Sequence, residues 1–331
     1  CHQVLPHRRS PRHGLLRRLE RRLERIVWQR VAGRPLVLLP QGPGRWPTIH
    51  DVQIFPDGER LATLGSHSTA IIWSASSGKE LVRLQTRDMR HRVLRVFPCG
   101  TRLATGVSYT LDDRSVIWNA SDGSAILVLA NEVDWLRALE ISTCGRKLVT
   151  VASNHMSLWD TATGTLEREF SSDFSLPSGI AITKGGARLI SSGINTKTIR
   201  IWDGFSGHLI HTLAMASLVV ALQLLPCGTK LVAASDLQVV VWDLASGIPL
   251  REIRHVLGSE ALRHMAVSAD GSIVAVCGGD SLRGGSRTTI WDIATGRELR
   301  TLRPSSERMQ RPLWGSPPCT VAVGPPRAVL S

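Results

Sequence analysis

Tyrosine occurs once and phenylalanine five times in this 331-residue chain, and carboxylates are scarce, 27 against 40 basic side chains, for a formal charge of +13. Lysine is scarce too: only Lys79, Lys147, Lys184, Lys197 and Lys230 interrupt an arginine-dominated set, a bias that fits coding composition as readily as phosphate recognition. No apolar run approaches the roughly 18 residues that read as a membrane-spanning helix. The longest, Ala216–Leu225, stops at Pro226 and reads as an inner strand. The chain also lacks a Gly-rich phosphate loop, a paired-Cys motif and a zincin-type His pair. His208 and His211 sit three apart on an expected strand, so they face opposite ways and cannot share a metal. Gly185-Gly186 and Gly284-Gly285-Ser286 are loop glycines without a phosphate context. No nucleophile is singled out with a base. No cofactor or metal site is therefore expected, and the chain reads as non-catalytic.

Six cysteines do not make a disulfide framework here. Cys99, Cys144 and Cys227 each precede a glycine at the same point of a repeat, which places them in different units. A disulfide needs Cα atoms within about 7 Å, so these three read as free thiols of a reducing, intracellular compartment, cytoplasmic or nuclear. The sequon Asn119-Ala120-Ser121 is expected to be fortuitous. The first residue is Cys rather than Met.

Tryptophan, by contrast, is abundant and periodic. Trp73, Trp118, Trp159, Trp202, Trp242 and Trp291 follow one another at intervals of 45, 41, 43, 40 and 49 residues. Each is preceded by an aliphatic residue (Ile72, Ile117, Leu158, Ile201, Val241, Ile290) and followed five positions later by a glycine (Gly78, Gly123, Gly164, Gly207, Gly247, Gly296). The frame appears a seventh time at Val27-Trp28 with Gly33. A period of roughly 40–45 residues with one such unit each is the pattern of a propeller blade.

With Trp159-Asp160, Trp202-Asp203, Trp242-Asp243 and Trp291-Asp292, and the degenerate Trp73-Ser74 and Trp118-Asn119, the chain resembles the WD-repeat β-propellers. The resemblance covers nearly everything after residue 25. It implies an all-β fold: a seven-bladed propeller of four-stranded antiparallel blades over 25–331. For the blade of Trp73 the strands, a to d, are expected at about 50–55, 60–65, 69–73 and 80–84. The ring is expected to close through a shared seventh blade made from 319–331 and 26–39, because Trp28 has no first half-repeat before it and the C-terminal segment aligns with the entry to the first blade. Closure of that kind removes exposed sheet edges. The repeat tryptophans, Trp28 included, are expected in the core, with the preceding aliphatic residue on the opposite face of the strand.

The sequence departs from the family's buried polar relay. No Gly-His precedes strand a, and the b–c loop Asp is present only as Asp112 and Asp236; elsewhere the position holds His67, Ser153, Thr196 or Gly285. Rigidity should then rest more on apolar packing. Two b–c loops look long, Gly106–Arg114 and Gly278–Arg287. On the opposite face, two residues after each a–b turn glycine, stand Arg60, Arg102, Lys147, Arg188, Lys230 and, last, Ile273. Antiparallel pairing sets these beside the residue after each Trp. Lys147, Arg188 and Lys230 thus face Asp160, Asp203 and Asp243, whereas Arg60 and Arg102 face Ser74 and Asn119 and are expected to lack a partner.

Residues 1–24 form a basic arm with amphipathic helical spacing over 14–25. It reads as a helix docked on the propeller edge, a nucleic-acid or acidic-surface contact through 8–25, or a targeting remnant. Function is read as a scaffold for protein–protein contacts. The alternatives are a nucleic-acid-associated protein that binds polyanions through the arm and, more remotely, a propeller enzyme. The candidate partner-binding residues are Trp46 and Trp314 with Arg45 and Arg311 beside them, then Tyr109, Trp135, Arg283 and Arg287. All are placed on the face of d–a and b–c loops by their positions before strand a or between strands b and c, and Trp and Arg are residue types enriched at binding hot spots.

Overall fold

The structure is a computed structural model and describes residues 25–28, 35–39, 49–65, 70–84, 91–107, 114–129, 136–152, 155–171, 177–254, 261–268, 270–279 and 286–302. Contacts divide the chain into two compact units, Cys1–Trp135 and Leu136–Ser331.

The first unit holds a two-stranded sheet, β1 (Arg25–Trp28) with β2 (Pro35–Leu39), and two four-stranded sheets. Sheet one comprises β3 (Ile49–Ile54), β4 (Arg60–Gly65), β5 (Ala70–Ser74) and β6 (Glu80–Arg83). Sheet two comprises β7 (His91–Val96), β8 (Arg102–Val107), β9 (Ser115–Asn119) and β10 (Ala125–Leu129). The second unit holds four more. Sheet three is β11 (Ala138–Ile141), β12 (Lys147–Val151), β13 (His155–Asp160) and β14 (Leu166–Ser171). Sheet four is β15 (Pro177–Ile182), β16 (Arg188–Gly193), β17 (Thr198–Asp203) and β18 (Leu209–Ala214). Sheet five is β19 (Val219–Leu224), β20 (Lys230–Ser235), β21 (Gln238–Asp243) and β22 (Pro249–Arg254). Sheet six is β23 (Ala261–Val267), β24 (Ile273–Gly279), β25 (Ser286–Asp292) and β26 (Glu298–Leu302). Each of the six is an antiparallel meander whose hydrogen-bonded order follows the chain.

The expected strand limits in the Trp73 repeat hold to within a residue. Arg25, at the end of the expected helix, lies instead in β1, paired with Leu39; residues 1–24 and 319–331 lie outside the described residues. The second long loop also departs from expectation. Gly278 and Gly279 continue β24 and pair with Arg287 and Ser286, because a glycine keeps its backbone donor and acceptor and an antiparallel ladder needs nothing else.

Why the same frame recurs is visible in the core. Ile72 and Trp73 leave β5 on opposite faces and enter different clusters. Ile72 packs with Ala62 and Leu64 of its own sheet against Val116, Trp118 and Leu103 of sheet two. In the second unit Leu158 of sheet three meets Trp202 of sheet four, Ile201 of sheet four meets Trp242 of sheet five, and Val241 of sheet five meets Trp291 of sheet six. The rule within each unit is thus an aliphatic face of one sheet against the Trp face of the next. Trp73, Trp118, Trp159, Trp242 and Trp291 are buried, and Trp202 is half-buried with its ring edge on Phe170. The Trp28 side chain lies outside the described residues. Replacing one buried Trp by Ala would cost about 3–5 kcal/mol.

The c–d turn glycine does two things. All six have φ between +67° and +81°, a region that side chains with a Cβ enter only under strain. Gly123, Gly207, Gly247 and Gly296 also bring the turn against the outer strand of the preceding sheet: a Cβ on Gly123 would stand 2.7 Å from the Arg83 carbonyl oxygen, and one on Gly247 would stand 3.0 Å from the His211 ring. That ring, in turn, lies 3.1 Å from the Ala245 carbonyl.

Half of the polar relay survives. The Trp indole N–H donates to a hydroxyl two positions along strand b in four sheets: Thr63 (2.8 Å), Thr105 (2.7 Å), Thr150 (2.9 Å) and Ser191 (3.0 Å). In sheet five that position is Ala233, and the buried Trp242 Nε1 has no acceptor. Asp236 is spent differently, accepting the Leu262 N–H of sheet six at 2.7 Å.

Candidate functional site

Of the candidate partner-binding residues, Trp46, Trp314, Arg45, Arg311, Tyr109, Trp135 and Arg283 lie outside the described residues. Arg287 is described and is not a loop residue. It is half-buried in β25 opposite Gly278, and its Nε has no solvent access.

The end of each sheet that carries its a–b and c–d turns is described in both units. The expected register holds throughout: Arg60 pairs with Ser74, Arg102 with Asn119, Lys147 with Asp160, Arg188 with Asp203, Lys230 with Asp243 and Ile273 with Asp292. The expectation that Arg60 lacks a partner is overturned. Its Nε donates to Asp57 at 2.7 Å, its Nη2 donates to the Gly100 carbonyl at 2.8 Å, and its guanidinium lies over the Phe55 ring. The turn residue three positions back supplies the carboxylate that strand c does not. Arg102 likewise stacks on Phe97, 4.4 Å from the ring centre.

The a–b turn also explains the repeated cysteines. Asp57 uses one carboxylate oxygen to accept the N–H groups of Glu59 and Arg60, and Asp270 does the same for Ser272. Cys99, Cys144 and Cys227 occupy the equivalent place, all three as free thiols. Partial burial pushes the Cys99 thiol up, but the Thr101 hydroxyl and backbone together with Arg102 more than offset it, so it titrates below the usual thiol range. Cys227 is lowered likewise by Thr229 and Lys230.

Sheet three and sheet four form the most elaborate part of this face. Lys147 Nζ, largely buried, donates to Asp160 at 3.0 Å and also to Glu167. Burial opposes ionisation of Asp160, yet the Ala162 N–H, the Lys147 ammonium and the Thr163 N–H outweigh it and hold the carboxyl at about 2. Beside this triad is a cleft of about 310 Å³, lined by Lys147, Leu158, Glu167, Arg168, Gly185, Gly186, Gly204 and Phe205.

No residue type marks this cleft in the sequence, because sheet four is defined by what it omits. Two positions after the Trp the repeats carry Ala75, Ala120, Thr161, Leu244 and Ile293, but sheet four carries Gly204. Before the a–b turn glycine they carry Asp57, Cys99, Cys144, Cys227 and Asp270, but sheet four carries Gly185. A Cβ on Gly204 would stand 1.7 Å from the Gly186 carbonyl oxygen, so the two turns close on each other and leave the space beside them empty. At the next position, where the others have Ser76, Ser121, Ala162, Ala245 and Ala294, sheet four has Phe205, 69 % exposed. Alignment of the six turns against one another is the signal that reveals it.

Six four-stranded antiparallel sheets of one plan, each keyed by a Trp in strand c, fit a WD-repeat-like propeller. The chain is similar to Autophagy-related protein 16 of Arabidopsis thaliana, 23% identical over 159 residues, which is 48% of this chain and 30% of that protein. The chain thus matches less than a third of that relative's length. No protein-family model matches it. Among the described residues, no helix is long and apolar enough to cross a membrane.

Proposed function

We propose that the chain is a WD-repeat-like propeller acting as a non-catalytic platform for protein–protein contacts inside the cell. The observation that carries this reading is the division of labour in the repeats. Strand cores are built to one plan, while the turns that cap them differ from sheet to sheet, as Phe205 against Ala162 and Ala245 illustrates. A fixed frame that varies at its caps is suited to display rather than to chemistry. The similarity to Autophagy-related protein 16 supports the same reading. Seven blades follow if β1 and β2 are strands c and d of a blade that residues 319–331 complete. Affinity purification from native lysate at low and high salt, followed by reconstitution with each recovered protein, tests the platform. A stoichiometric complex that survives high salt is expected. Recovery of nucleic acid that is shed steeply with salt, as counterion release requires, and of no protein partner would refute it.

A further inference from the structure

The cleft between sheets three and four has three properties that a stretch of structural surface does not need. It is lined by Gly185 and Gly204 at two positions where the other five repeats carry side chains. An aromatic, Phe205, stands at its mouth where every other repeat has Ser or Ala, and it is the most exposed large apolar side chain among the described residues. Its charges are unevenly spent. Both carboxylates, Asp160 and Glu167, are taken by Lys147. Arg168 on the cleft wall and Lys184, next to Gly185, are exposed and make no ion pair among the described residues.

The size of the cleft constrains what enters. At about 310 Å³ it lies at the bottom of the range for small-molecule sites, about 300–1,000 Å³. It suits one anchoring side chain rather than a cofactor. The free positive charge on the rim selects what flanks that anchor, because complementary charge steers encounter and rejects like-charged competitors. Phe205 and Arg168 are of the aromatic and arginine types enriched at interface cores.

We infer that this cleft docks an acidic linear segment of a partner protein, which seats one apolar side chain against Phe205 and sets its carboxylates on Arg168 and Lys184. The inference rests on the platform reading and gives it a location: the turn face of sheets three and four, not the loop face where Trp46 and Trp314 were expected to act.

The test is selection of a phage-displayed random peptide library on the full chain, followed by affinity measurement with the fluorescein-labelled peptides that emerge. Enriched sequences should place an apolar residue among Asp and Glu. Phe205→Ala and Arg168→Glu should each weaken them about tenfold or more, as loss of a hot-spot contact does, and both variants should melt with wild type because the side chains are exposed. Arg300→Glu, the equivalent of Arg168 in sheet six, should bind normally. An empty selection, enriched peptides without acidic residues, or acidic peptides held equally by both variants would overturn the inference. If reconstituted partner complexes survive in both variants, the cleft assignment falls while the platform stands; if no partner complex forms with the wild type, the platform reading falls as well.

Discussion

Substituting Ser for Ala233 should stabilise the protein by restoring a bond that four other sheets possess. Trp242 is 7 % exposed and its Nε1 finds no acceptor. In sheet four the same position along strand b is Ser191, whose Oγ lies 3.0 Å from Trp202 Nε1. A buried donor left unsatisfied costs about 1–3 kcal/mol, whereas a typical intramolecular hydrogen bond contributes about 0.5–1.5 kcal/mol net. Ala233→Ser adds one oxygen at a fully buried site, and that hydroxyl must give up its own hydration. The balance is a gain of about 1 kcal/mol, or a rise in melting temperature of about 2 °C. Urea unfolding should show the midpoint rising at unchanged slope, since no surface is added or removed. The Trp242 indole proton resonance should move downfield and exchange more slowly. The reverse substitution, Ser191→Ala, should lower the midpoint. If Ala233→Ser lowers the midpoint while the Trp242 resonance stays in place, the missing acceptor is not a liability and the reasoning fails.

Gly204→Ala should cost about 3 kcal/mol or more through overpacking against Gly186, and a urea midpoint close to wild type would show that the two turns can part. Asp160 is held below its ordinary value of 3.8, at about 2. The stability it lends is therefore present above pH 3.8 and is lost as pH falls through about 2. Lys147→Met should move its midpoint part of the way back up, read by carboxyl NMR, the backbone N–H bonds keeping the remainder; an unmoved midpoint would exclude the ammonium as a cause. Iodoacetamide near neutral pH should reach Cys99 and Cys227 first and Cys277, buried in β24, only on unfolding, and equal labelling rates by mass spectrometry would contradict the burial pattern. Deletion of 319–331 should leave a sheet edge open and cause aggregation, so a truncated chain that stays monomeric with its melting temperature intact would remove the shared seventh blade.

The strand frame was legible because each repeat marks itself twice, with a Trp for the core and a glycine for a turn that needs positive φ. From those marks the b–c register followed, down to Lys147 opposite Asp160. Three things were not legible, each for a physical reason. The partner of Arg60 was missed because a carboxylate three residues back competes with whatever strand c offers, and periodic alignment sees only the latter. The extension of β24 through Gly278 and Gly279 was missed because glycine marks loops by its freedom, yet a paired ladder uses only its backbone. The cleft was missed because it is an absence of side chains, and composition counts only what is present.

The two-faced build of each sheet, aliphatic on one side and indole on the other, has a consequence for how such a chain can change length. Within each compact unit a repeat presents the same two surfaces to its neighbours, so a repeat duplicated or deleted there joins one indole face to one aliphatic face as before. The fold can grow or shrink by whole units through recombination, with no new core to invent. A break within a unit has no such tolerance, since it would set two faces of one kind together.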